Sequence, residues 1–190
     1  MILRPLALLA AAGAALAAPP GADEARVVER VVAVIRSPAS PQARVVTLTR
    51  LQEETRVALI ARGGTLAAVA PLDAEALRAG LDWLVDQILL ADEAARLQLL
   101  NIDPADVAAE LARFRARFAR PADYTAFLAR QGATEEELAA MLRRTLGVRR
   151  YVEGRVGRAG DASDAEVKAL VTDLRARAEV RILYDFGGRG

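Results

Sequence analysis

The sequence predicts a mainly α fold of the α+β type: a helical domain around one long central helix, closed by a small antiparallel sheet. Three observations carry this. Apolar residues recur at three- and four-residue spacing through most of the stretch from Leu51 to Leu174, and the runs start at residues suited to capping helices. Runs rich in Val and Ile lie toward the two ends, at 26–35, 44–48 and 179–186. The segment 84–100, "LVDQILLADEAARLQLL", carries leucine on more sides than one apolar stripe can hold, so more than one neighbour must cover it.

Residues 1–17 read as a secretory signal peptide. One Arg precedes an uncharged run from Pro5 to Ala18, too short to span a bilayer as a helix, and Ala15-Leu16-Ala17 is an A-x-A-like cleavage site. No Cys follows the run, which excludes a lipoprotein anchor. A Pro/Gly linker, 18–26, leads into the folded part, and a periplasmic protein without stable membrane insertion is expected.

The first strand, within "RVVERVVAVI", is followed by "RSPASPQA" (36–43) and a second strand, "RVVTL", so the two form an antiparallel hairpin with a long loop. Thr49 is placed to cap the helix "RLQEETRVALIAR", and Gly63-Gly64 ends it. "TLAAVAPL" reads as a loop. Asp73 then caps the long helix, which is expected to reach about Leu100. Its main stripe is Leu77, Leu81, Leu84, Val85, Ile88, Leu89 and Ala95, while Leu90, Leu97 and Leu100 lie off it. Trp83 and Gln87, spaced i,i+4, mark where the covering of this helix is incomplete.

Asp103 caps the next helix, with Pro104 at its first position and Asp106 in its first turn. Val107, Leu111, Phe114 and Phe118 form one face. A short helix carrying Tyr124, Phe127 and Leu128 stops at Gly132. Thr134 and Glu137 form a capping box at the head of the helix that follows. Ser163 and Glu166 form another before an amphipathic helix with Val167, Leu170, Val171 and Leu174. "EVRILYDF" then alternates as a strand. It needs a partner for its backbone groups, and the N-terminal hairpin is the candidate sheet.

The chain has 190 residues, 53% of them apolar, enough for one domain with a substantial core. Aromatics make up only 4%, so Leu, Val and Ala must build most of that core. With neither His nor Cys, there are no disulfides, thiol nucleophiles, imidazole bases or histidine-containing metal sites. No phosphate loop, HExxH or GxSxG occurs either. No catalytic residue, cofactor or metal is expected. Removing 1–17 removes Arg4 alone and leaves 25 basic against 25 acidic side chains, a balance that argues against nucleic-acid binding. Asp82 and Asp86, i,i+4 on the long helix, read as a solvated edge or an ion pair with an Arg. Arg143, Arg144, Arg149 and Arg150 read as a solvated face.

The order of these elements resembles the N-terminal domain of SurA-type periplasmic chaperones. The resemblance is carried by Leu84-Val85-Asp86-Gln87-Ile88-Leu89-Leu90, by Leu100-Asn101-Ile102 before an acidic-Pro helix start, and by the opening strands 31–35 and 45–49. It covers residues 27–156, most of a helical chaperone domain placed at 27–158, with residues 159–186 as a helix and strand completing the same domain. Two departures stand out. The first hairpin carries "RSPASPQA" instead of a tight turn, and only "GRAGDASD" lies where such chaperones often carry parvulin-type prolyl isomerase modules. The resemblance implies an ATP-independent chaperone that shields unfolded or extended envelope polypeptides in an apolar groove, without isomerase activity. Candidate client-binding residues are Trp83, Gln87, Phe114, Phe118, Tyr124 and Phe127. The alternative is a dedicated envelope adaptor with one specific protein partner, and a homodimer is compatible with either.

Overall fold

The computed structural model describes residues 29–157 and 164–186. The expected signal peptide (1–17), the expected linker (18–26) and the expected Ser163 cap fall outside the described residues. Within them the chain runs β1 (Val31–Arg36), β2 (Arg44–Thr47), α1 (Leu48–Ala61), a 3-10 turn (Thr65–Ala68), α2 (Ala74–Arg96), α3 (Pro104–Arg115), α4 (Pro121–Gln131), α5 (Glu135–Val156), α6 (Asp164–Arg177) and β3 (Glu179–Ile182). This is a mainly α fold with a three-stranded antiparallel sheet.

The sheet order is β2-β1-β3, so the last strand pairs with the first, with Ile35 opposite Val180 and Ala33 opposite Ile182. On its other side, Ile35 faces Arg44 of β2, and the register slips between Val31 and Ala33. The loop between β1 and β2 is tied at its start by Ser37, which is 8% exposed. Its hydroxyl accepts from the Ala39 amide at 3.1 Å, and its carbonyl accepts from Ser40. β3 stops four residues short of the expected 179–186. Tyr184 and Phe186 leave the ladder and pack edge to face, 4.9 Å between centroids, with the Arg30 guanidinium 4.8 Å over the Tyr184 ring.

Two boundaries differ from expectation for local reasons. The cap of α1 is Thr47 and not Thr49: Thr47 is extended, ends β2, and its hydroxyl accepts from the Arg50 amide. One residue both closes the strand and opens the helix. The long helix ends at Arg96, because Gln98 takes a left-handed φ of 60°. Leu97 and Leu100 therefore belong to a turn, and Leu97 is 43% exposed. The caps at Asp73 and Asp103, the Thr134–Glu137 capping box and the left-handed Gly132 stand as the sequence places them. The stretch 65–72, read as loop, contains a 3-10 turn whose carbonyls at Ala67 and Ala70 each accept from Arg56 at 2.6 Å.

Apolar packing divides into two clusters. The first joins the sheet to α2, with Val32, Ile35, Val46, Leu51, Leu84, Leu89 and Tyr151 at its centre. Fully burying a Leu or Ile contributes about 1.5–3 kcal/mol each, so α2 is anchored chiefly by this contact. Leu90, off the main stripe, is buried here as well. α6 closes a further side of α2, where Arg175 pairs with both Asp86 and Asp82. The acidic i,i+4 pair is thus an ion-pair site. α1 approaches α2 at Gly80, where a Cβ would lie 2.2 Å from Thr55 Oγ1. The second cluster gathers Ile60, Phe114, Tyr124, Phe127, Leu138 and Leu142 from α1, α3, α4 and the first half of α5.

Candidate functional site

α2 packs against both α1 and α5, and between those two helices its Trp83, Gln87 and Ala91 side chains are only half-buried. The result is a groove of about 640 Å³. Buried Leu84 and Ile88 of α2 and Val148 of α5 underlie it, half-buried Ala91 and Met141 contribute its accessible apolar floor, and Trp83 and Gln87 are half-buried in its wall. These contributions follow from helical spacing: 84, 88, 91 and 95 fall along one side of α2. The Arg62 guanidinium sits 5.9 Å from the centroid of the Trp83 ring and holds that ring at the wall.

Charged side chains surround this floor. Arg44 binds Asp92 Oδ1 through both Nε (3.2 Å) and Nη2 (2.8 Å). Asp92 is 4% exposed, and its Oδ2 has no hydrogen-bond partner. Glu54, also buried, accepts from Arg50 at 2.9 Å within α1 and from Arg144 at 3.0 Å. The second contact straps α5 to α1. Glu53 also lines the groove, and burial, then the nearby charges of Glu137, Glu54 and Glu29, push its carboxyl above the usual carboxylate range.

Of the residues singled out in the sequence, Trp83 and Gln87 lie in the groove. Phe114, Phe118, Tyr124 and Phe127 do not, and the expectation of groove aromatics is corrected on this point. Phe114, Tyr124 and Phe127 are 3%, 8% and 1% exposed, and all four rings interlock with centroids 5.5–6.1 Å apart. They form the centre of the second cluster because α4 turns back on α3 and closes their common face. The Tyr124 hydroxyl donates to Glu135 at 3.0 Å, and Arg115 pairs with the same carboxylate, drawing Glu135 below the usual range. A small void of about 10 Å³ beside Phe127 is no binding site. The sequence reading missed Glu53, Glu54, Asp92, Met141 and Arg144. The i,i+4 spacing of Trp83 and Gln87 pointed to the wall of the groove, but nothing local distinguishes Glu53 from an ordinary solvated glutamate.

No nucleophile stands beside a base in this groove, and among the described residues no group of three or more acidic side chains is placed to hold a metal ion. Among those residues no helix is long and apolar enough to cross a membrane. An apolar floor rimmed by charge is suited to binding. Comparison with protein-family models, with curated proteins and with solved structures returns no match.

Proposed function

We propose that this protein is an ATP-independent chaperone of the cell envelope that holds unfolded or extended polypeptides in the groove over α2, without prolyl isomerase activity. The single observation that carries the reading is the groove along a central helix, where half-buried Trp83, Gln87, Ala91 and Met141 lie between α1 and α5 and are rimmed by paired charges. A holding site must offer apolar area to many sequences while keeping each contact weak. A shallow surface of Trp83, Ala91 and Met141 meets both needs, because a methionine side chain repacks around varied partners. Its volume lies in the range of ligand-binding clefts, about 300–1,000 Å³. The resemblance of residues 27–156 to the N-terminal domain of SurA-type chaperones supports the same reading, and the leader-like residues 1–17 support a periplasmic site of action.

A second reading, the adaptor with one partner, draws on a different surface. Leu66 and Val69 are 77% and 68% exposed on the 3-10 turn, whose carbonyls are held by Arg56 and Arg130. Two apolar side chains presented on a fixed turn suit a specific contact better than a promiscuous one. Light scattering from a panel of unrelated denatured outer-membrane proteins, diluted into buffer with and without the protein, separates the two. Suppression of aggregation across the panel, weakened by Trp83→Ala, supports the chaperone. Suppression of none, with capture of one partner lost in Leu66→Ser, supports the adaptor.

A further inference from the structure

The groove has a charge imbalance that apolar binding leaves unused. Five carboxylates and three arginines line it. The arginines are already engaged, Arg44 on Asp92 and both Arg50 and Arg144 on Glu54. Glu137 uses one oxygen for the cap of its own helix, accepting from the Thr134 amide at 2.8 Å. Glu53 stands among Glu29, Glu54 and Glu137 with no ion pair to any described cation. Farther along the same wall, Asp92 keeps Oδ2 buried and without a donor. Carboxylates held together beside Leu84, Ile88 and Met141 repel one another and lose hydration, an arrangement that a cation would relieve.

The chemistry of that cation follows from the surroundings. The carboxylates are not grouped to coordinate a metal ion. A nucleic acid would bring phosphates against an acidic rim, so it is disfavoured. An ammonium or guanidinium on an aliphatic stem fits, because the stem can lie on the apolar floor while the head reaches the carboxylates. We infer that the groove selects extended polypeptide segments in which a Lys or Arg stands beside apolar residues, the cationic head meeting Glu53 and the apolar neighbours lying on Trp83, Ala91 and Met141. This specificity rests on the groove-binding reading above and adds charge complementarity to it.

The test uses the purified full chain and three tryptophan-free dodecapeptides of Ala, Leu, Ser and Tyr that differ at one central position, Lys, Gln or Glu. Trp83, the only tryptophan in the sequence, lies in the groove wall and reports occupancy by its fluorescence, with calorimetry as the second measurement. The Lys peptide should bind roughly 1.5- to fivefold more tightly than the Gln peptide at low salt, the range for one partly exposed charge contact, and the Glu peptide should bind least. High salt should erase the difference between Lys and Gln peptides, and Glu53→Gln should erase it as well. Equal binding of Lys and Gln peptides, or a preference that survives Glu53→Gln, overturns the charge selection and leaves groove binding standing. Failure of all three peptides to bind by either method overturns both.

Discussion

At Glu53 the fold holds a carboxylate where burial and three other acids oppose its charge, so the folded state takes up the proton more readily than the unfolded chain. The sign of the linkage follows. This group favours the fold while protonated, and its contribution is lost as pH rises from the ordinary carboxylate range through the raised folded value. Glu53→Gln should therefore raise the melting temperature at neutral pH, and the gain should shrink on acidification through that window. Melting curves of both proteins at several pH values measure it, and a Gln variant less stable at neutral pH would contradict the placement. Asp92 gives a second test. With Arg44→Ala the buried carboxylate loses its partner, at a cost on the order of 2 kcal/mol, between the values for exposed and buried pairs. Adding Asp92→Asn to that variant should recover much of the loss in urea unfolding. Neither position is legible in the sequence, because what singles out Glu53 is first its burial in the fold and then the approach of Glu137 and, less, Glu29 from distant segments.

At the scale of elements, what was local was legible. Asp73, Asp103 and Thr134 are N-caps because each side chain reaches an amide two or three residues ahead, and that geometry needs no tertiary knowledge. Boundaries set by neighbours were not. Nothing between Leu97 and Leu100 announces a left-handed Gln98, and the joint role of Thr47 depends on β2 running straight into α1. The four aromatics show the same limit from the other side. Their spacing told that they share faces, but whether a face meets solvent or another helix depends on how α4 turns against α3. The crossing of α1 and α2 offers a clean test of packing at this scale. Gly80→Ala would drive a Cβ into Thr55 and should cost about 1–3 kcal/mol, the usual range for overpacking. Thr55→Ala in the same chain removes the two closest atoms, one of them a hydroxyl already without a partner, and should restore most of the stability. Denaturant midpoints for the two single variants and the pair decide the matter.

Across the whole molecule, the sheet draws the first and last described elements together, with β3 beside β1. Two apolar clusters then share the helices unequally: the first holds α2 to the sheet, the second seals the aromatics beneath α4. The groove lies where α1 and α5 pass from one cluster toward the other, so its floor is a helix too apolar for a surface and not fully enclosed. That is the physical answer to the leucine-rich segment 84–100. The sheet, α1, α6 and α5 cover most of its sides, and the side bearing Trp83, Gln87 and Ala91 stays half-buried along the groove. Because the chain contains no cysteine, single sites for a photo-crosslinking label can be introduced without background. The most direct measurement places that label at Gln87→Cys in the groove and at Lys168→Cys on exposed α6, and illuminates each protein with a freshly diluted, denatured outer-membrane protein. The groove-binding account predicts strong adducts from position 87 and few from 168; equal yields from both, or adducts from 168 alone, would contradict it.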